Sequence, residues 1–260
     1  MTERILLTGA AGAIGTMLRP RLARTGRTLR RLDIAPLTSG VGEEVVSGSV
    51  SDMDVMVAAC SDVDAVLHLG GHSREASWAD ILEHNINGTY TVLEACRRAG
   101  VPRVVFASSN HAVGFRPVGE EAGEHLYPRP DTYYGVSKAA GEALGSLYHD
   151  RYGLDVICLR IGSCAEEPWN ERALATWLSP DDCARLTEAA ISVPSPGFRV
   201  VWGISANTRG RFSLTEARAL GYAPQDDAEV FAASVAPAEG LEKVYLGGDF
   251  CSPDLDAVWE

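Results

Sequence analysis

A chain of 260 residues with 46% apolar and 22% charged residues carries enough hydrophobic material for one large layered core, which argues against disorder. A net charge of −12 argues against nucleic acid or an anionic membrane as partner, and any anionic ligand must find local cations against that field. The six cysteines (Cys60, Cys96, Cys158, Cys164, Cys183, Cys251) contain no Cys-x-x-Cys pair. No apolar run approaches the ~18 residues a membrane helix needs, and a first strand from about Arg4 leaves no room for a targeting segment. Reduced thiols in the cytoplasm are the expectation.

Arg4 to Thr8 reads as a short apolar strand, followed by a glycine turn and a helix over about Ile14 to Thr25. Thr28 to Leu32 is a second strand ending at Asp33, Glu44 to Val46 a third, and Asp52 to Cys60 a helix. Ala65 to Leu69 has a buried-strand pattern closed by Gly70 and Gly71; Trp78 to Ala99 is a long helix and Arg103 to Ser108 a strand. A helix over Asp131 to Tyr152 and a strand over Val156 to Arg160 complete the regular part. Strands alternating with helical segments predict an α/β fold, a doubly wound parallel sheet of Rossmann type. Right-handed crossovers then bring the glycine turn, Gly70-Gly71 and Ser108-Ser109 to one carboxyl edge, where such sheets bind ligands.

Beyond residue 160 the pattern is less regular. Ser179-Pro180-Asp181-Asp182 is a strong helix start, Arg199 to Trp202 a strand, and short helices are expected near Thr215 to Leu220 and Ala228 to Val235. No linker or repeat interrupts the chain. Residues 1–260 are therefore expected to form one unit, with about 161–260 as a small substrate-side lid.

Gly9-Ala10-Ala11-Gly12-Ala13-Ile14-Gly15, placed after a strand and opening a helix, suits a pyrophosphate: Gly9 for the turn, Gly12 for close backbone approach, Gly15 for helix packing. Asp33, 18 residues past Gly15, can bond ribose hydroxyls and would repel a 2′-phosphate, so NAD is favoured over NADP. Arg30 and Arg31, just before it, should project away from the ribose. His68 and His72 have a metal-like spacing but flank a strand end and a Gly-Gly turn with no Cys or acidic cluster beside them, and no metal site is read there.

Tyr134 and Lys138 lie four residues apart and so share one helix face. A tyrosine hydroxyl titrates near 10, and an ammonium one turn away should pull it down toward the range of a working base. A glycine turn followed, over a hundred residues later, by Tyr-x-x-x-Lys resembles the short-chain dehydrogenase/reductases. The strand end Ala107-Ser108-Ser109-Asn110-His111-Ala112-Val113-Gly114 is similar to the active-site serine segment of their extended branch, which implies Ser109 as the catalytic serine.

The likeness extends further. Ser108 to His111, Arg160-Ile161-Gly162-Ser163-Cys164, Pro168 to Asp182 and Val201-Trp202-Gly203 resemble the uronate dehydrogenases, across nearly the whole chain. These oxidise C1 of D-glucuronate or D-galacturonate with NAD to an aldarolactone. The resemblance implies substrate contacts at Ser73, Ser109, Asn110, His111, Ser163 and Arg172, with Arg172 on the uronate carboxylate. For NAD it implies Gly9, Gly12, Ala13, Ile14, Gly15, Asp33, Ser49, Val50, Leu69, Gly70, Gly71, Tyr134, Lys138 and Cys164. Relatives carry Asp-Leu beside the adenine where this chain has Ser49-Val50, so that contact is weaker here or made by Asp52. A homo-oligomer is the superfamily default. The alternatives are another sugar-active enzyme of the superfamily, such as an epimerase retaining NAD, and a non-catalytic NAD sensor. The latter often lacks the Tyr or Lys that this chain keeps.

Overall fold

The computed structural model describes residues 3–119 and 121–258. Its first strand, β1 (Glu3–Thr8), carries Ile5, Leu6 and Leu7, all fully buried, so both faces of the strand are covered. That is the signature of a parallel sheet with helices on either side. β2 (Arg27–Asp33), β3 (Glu43–Ser47), β4 (Ala65–His68), β5 (Arg103–Ser109), β6 (Asp155–Ile161) and β9 (Phe198–Gly203) join it. The order is β3-β2-β1-β4-β5-β6-β9, parallel throughout. A separate two-stranded ladder pairs β7 (Ser163–Cys164) with β8 (Trp177–Leu178). The order reverses between β1 and β4, and ligands of such sheets sit outside the carboxyl ends of the strands at that point.

Two apolar layers enclose the sheet. On one face Leu18 and Leu22 of α1 (Ala13–Leu22) pack with Leu186 and Ala190 of α7 (Pro180–Ser192) against Ile5, Leu7 and Ile157. On the other, Met56 of α2 (Met53–Ala59), Val92 and Leu93 of α4 (Gly88–Ala99) and Tyr148 of α5 (Tyr133–Tyr152) cover Leu6, Val66 and Val156. At about 25 cal/mol per Å² of apolar surface removed from water, these layers dominate the stabilisation.

The expected long helix over Trp78 to Ala99 is one continuous helical run but not one regular helix. α3 (Trp78–Asp80) passes into a π-helical turn, Ile81–Asn87, before α4 begins. Single π turns recur at functional sites, and Asn85, which lies in this one, proves to hold the site together. After β6 come α6 (Ala173–Thr176) and α8 (Thr215–Ala219). The expected helix over Ala228 to Val235 is only a 3-10 turn at Ala228–Phe231. α7 starts as the sequence indicates: the Ser179 hydroxyl accepts the Asp182 amide at 2.9 Å, with Pro180 at the first position.

Candidate active site

The cofactor end is built from backbone. Gly9 has a left-handed φ of 66°, and a side-chain carbon there would lie 2.8 Å from the Leu69–Gly70 peptide; one on Gly15 would lie 2.6 Å from the Gly9 carbonyl oxygen. Only glycine permits β1, α1 and the end of β4 to meet so closely. Gly12 is the N-cap of α1, with no side-chain cap and no acid in the first turn, whereas Asp52, Thr132 and Ser179 cap α2, α5 and α7. The α1 start, including Ala13 and Ile14, thus leaves its amides and positive dipole end for an anion, as a pyrophosphate requires.

Asp33 stands beside this turn. Its Oδ2 accepts the Ala11 amide at 2.8 Å and its Oδ1 the Ala35 amide at 2.9 Å, leaving further lone pairs for hydroxyl donors. Arg30 pairs with Glu44 at 2.6 Å and Arg31 with Glu43 at 3.1 Å, so neither reaches toward a ribose. Arg31 is buried rather than turned to solvent. Val50 is buried beneath Gly70, and the Ser49 hydroxyl accepts the Ser51 amide at 3.1 Å. The Asp52 carboxylate caps α2 through the Asp54 and Val55 amides. His68 is a core histidine: Nδ1 bonds Thr8 at 2.9 Å, Nε2 bonds Thr89 at 3.3 Å, and burial pushes its pKa down to about 3. The ligand atoms of His72, Asp80 and His84 lie within 4.8 Å of one another. The sequence reading places no acidic group beside His72, and the structure brings Asp80 and a second histidine there from the helical run that starts at Trp78.

The end of β5 delivers Ser108 and Ser109 to opposite faces. Ser108 Oγ donates to Glu142 at 2.6 Å, and Glu142 also accepts from Nε and Nη2 of Arg160, making a buried structural network. Ser109 instead faces Tyr134 and caps the turn that follows by accepting the His111 amide at 3.2 Å. Lys138 is buried, donates to the Ala107 carbonyl at 2.8 Å and stands 5.3 Å from the Tyr134 ring centre.

The acidity of this pair differs from the expectation. Burial pushes the Tyr134 hydroxyl up to about 12; the nearby Ser109 hydroxyl lowers it and the charge of Asp131 raises it. Burial likewise draws Lys138 down to about 8. Removal from water is the largest influence on both groups, and the ammonium 5.3 Å from the ring centre does not offset it.

Asn110 and His111 follow Ser109 directly, and Asn110 and Arg172 meet at one carbonyl. Asn110 Nδ2 donates to the Leu246 carbonyl at 3.1 Å, and Arg172 Nη2 donates to the same oxygen. Arg172 Nε is buried with no partner among the described residues. Burial disfavours its charge, although Glu242 and Asp131 work in the other direction. This guanidinium borders a cavity of about 320 Å³ lined by Arg209, Arg211 and Lys243 and also by Glu171 and Glu242, with Arg209 paired to Glu229 and Glu171. Ser163 Oγ bonds Thr176 Oγ1 at 2.8 Å, next to Cys164 at the start of the small ladder. Ser73 is exposed on the segment after Gly71.

Three positioning groups were not read from the sequence. Glu75, buried, accepts the Tyr133 and Tyr134 amides at 3.2 and 2.8 Å, anchoring the positive start of α5. Asn85 accepts the His72 amide at 2.8 Å and donates to the His72 carbonyl and to Ser137, whose hydroxyl donates to the Tyr134 carbonyl at 2.6 Å. Asp131 bonds His111 Nδ1 at 2.7 Å. All three act across distant segments, so no local spacing announces them.

An uncapped glycine turn at the switch point, with Ser109, Tyr134 and Lys138 gathered beyond the same sheet edge, is the layout of a short-chain dehydrogenase/reductase. Residues 5–167 match the model of the NAD dependent epimerase/dehydratase family. A uronate dehydrogenase from Pseudomonas syringae pv. tomato is 45% identical, over 95% of this chain and 93% of its own. The NAD-dependent glucose-6-phosphate dehydrogenase of Haloferax volcanii is 40% identical, over 89% of this chain and 96% of its own. Among solved structures, a tyrosine-to-alanine mutant of the uronate dehydrogenase from Agrobacterium tumefaciens, complexed with NAD, superposes with a TM-score of 0.92 at 41% identity; the match covers 96% of this chain and 97% of that one. The chain belongs to the NAD dependent epimerase/dehydratase family and groups within it with the uronate dehydrogenases.

Proposed function

We propose that this enzyme oxidises the C1 hydroxyl of a hexuronate such as D-glucuronate or D-galacturonate, giving the aldarolactone. The observation that carries the substrate class is Arg172: a half-buried guanidinium whose buried Nε has no partner among the described residues, one carbonyl away from Asn110, on a cavity where Arg211 and Lys243 stand beside Glu171 and Glu242. A carboxylate offers such a fork two parallel charge-assisted bonds.

The α1 start, Asp33, the Leu69–Gly71 turn and Lys138 would hold NAD, which would supply the hydride acceptor. The protein moves the proton. Tyr134, ionised, takes it from the C1 hydroxyl, while Ser109 donates to the oxygen as it becomes a carbonyl. Lys138 holds its positive charge close to the tyrosine ring and favours the phenolate. Asn110, His111, Ser163 and Ser73 orient the sugar hydroxyls, and the buried setting of Tyr134 keeps bulk water from the reacting bond. Residues from 161 onward supply Ser163, Arg172 and the Leu246 carbonyl, and in our reading they are the substrate-side cover of a single unit.

We further infer a homo-oligomer working in a reducing cytoplasm. Exposed Tyr90 on α4 and Val136, Leu147 and Tyr152 on α5 support the first, and six unpaired cysteines support the second. Among the described residues no helix is long and apolar enough to cross a membrane.

The test is nicotinamide reduction on mixing the purified protein with NAD and D-glucuronate or D-galacturonate, with D-glucose and D-glucose 6-phosphate as controls. Reduction with the uronates and not the controls is expected. Reduction with neutral or phosphorylated hexoses in preference to uronates would overturn the assignment of Arg172.

A further inference from the structure

Asp131 precedes the catalytic helix, and its carboxylate is fully buried. Its Oδ2 bonds His111 Nδ1 at 2.7 Å, and its Oδ1 accepts the Thr132 hydroxyl at 3.0 Å. Two glycines from distant parts of the chain make room for it. A side-chain carbon on Gly114 would fall 1.8 Å from Oδ2, and one on Gly247 would fall 1.9 Å from the same atom. The His111 ring is clamped as well, stacked on Phe250 at 4.2 Å between centroids and set edge-on to Tyr134 at 5.7 Å. His111 Nε2 has no hydrogen-bond partner among the described residues.

Burying a carboxylate is costly unless it is paired and bonded. A pocket shaped for one carboxylate, with a single imidazole as its strongest partner, therefore calls for a function. We propose that Asp131 is a positioning residue that holds His111 with the proton on Nδ1, so that Nε2 is presented as an acceptor to a hydroxyl of the sugar. A carboxylate oxygen can only accept, so Nδ1 must donate, and in the neutral ring the other nitrogen is then the acceptor. The role assigned to the sugar rests on the uronate reading; the tautomer does not.

The same carboxylate acts a second time. Its charge is one of the influences that push the pKa of the Tyr134 hydroxyl up. The site thus holds a group that aids substrate orientation and opposes ionisation of the base, and removing it should move the two in opposite directions.

Asp131→Asn separates them with no change of shape. Thr132 donates to Oδ1, so the amide is expected to keep its oxygen there and turn its NH2 toward His111. Nδ1 then becomes the acceptor and the ring proton moves to Nε2. Ring-nitrogen NMR of the 15N-histidine-labelled protein is expected to show His111 with its proton on Nδ1 in the wild type and on Nε2 in Asp131→Asn. KM for uronate should rise about tenfold, the worth of one good hydrogen bond, while kcat stays level or rises and NAD affinity is unchanged. Damage to folding would instead lower kcat and weaken NAD binding together. A wild-type His111 protonated on Nε2, or an Asp131→Asn enzyme with unchanged KM, would overturn the proposal. If no uronate is oxidised at all, the nitrogen spectrum of the wild type still decides whether Asp131 sets the tautomer.

Discussion

Ser108 and Ser109 are adjacent on β5, yet their hydroxyls serve different parts of the molecule. One donates to Glu142 at 2.6 Å inside a buried ion-pair network, and the other is bonded to the Tyr134 hydroxyl. Strand alternation alone separates them, because successive side chains point to opposite faces. Ser109→Ala is accordingly expected to lower kcat about 10²- to 10³-fold, the usual cost of losing one donor to a developing oxyanion. Ser108→Ala should leave kcat within about twofold and cost about 1 kcal/mol of stability, one net hydrogen bond. Steady-state rates and thermal melts of the two variants check both halves, and equal losses of turnover would contradict the division.

Tyr134→Phe should lose about 10²- to 10⁴-fold in turnover, the contribution of a positioned acid-base group. NAD affinity, measured by titration, should stay within a few-fold of wild type. An undiminished rate would remove Tyr134 from the mechanism.

The pH profile follows from the two displaced acidities. The working form pairs a Tyr134 phenolate with a Lys138 ammonium. With the hydroxyl pushed up to about 12 and the ammonium drawn down to about 8, that form is a minor species. Its share grows tenfold per pH unit until Lys138 is the group that has lost its proton, and it is then constant up to about pH 12. Under saturating substrate and NAD, kcat should rise with unit slope below about pH 8 and level off above it. A rise continuing unbroken past pH 10 would show that Lys138 is not the second group.

Sequence spacing carried the sheet, the glycine turn and the Tyr-Lys helix because each rests on a local rule: apolar runs for buried strands, glycine where no side chain fits, residues four apart on one helix face. It did not show that burial would dominate the tyrosine, since desolvation depends on what packs above Tyr134 and not on Lys138 one turn away. It also missed Glu75, Asn85 and Asp131. Their partners are Tyr134, His72 with Ser137, and His111, and those pairings exist only once the π turn, the α5 start and the Leu246–Phe250 segment have come together. Arg172 was singled out by resemblance; its unpartnered Nε became visible only in three dimensions.

Arg172→Ala should raise KM for uronates about 10- to 100-fold, the range for a hydrogen-bonded charge, with NAD affinity intact. Initial rates over a range of uronate concentrations, beside an independent NAD titration, make the comparison. Parallel loss of both affinities would mean that Arg172 holds the fold together through Leu246 and does not clamp the substrate.

Asp33→Ala removes the charge that repels a 2′-phosphate and also frees the Ala11 amide it holds. NAD affinity should fall about tenfold, and weak use of NADP should emerge. Arg30 and Arg31 remain tied to Glu44 and Glu43, so NADP should not become the better cofactor. Relative kcat/KM for the two cofactors measures this, and a full reversal of preference would show that those ion pairs open.

The central claim is that hydrogen leaves C1 of the uronate as hydride. The most direct measurement uses D-glucuronate or D-galacturonate deuterated at C1 and follows the label by mass spectrometry of the nicotinamide. One deuterium is expected in the reduced nicotinamide and none in the lactone product. Deuterium retained at C1, with the label transferred only from a C4-deuterated substrate, would contradict it and place the chemistry at C4, as an epimerase would have it.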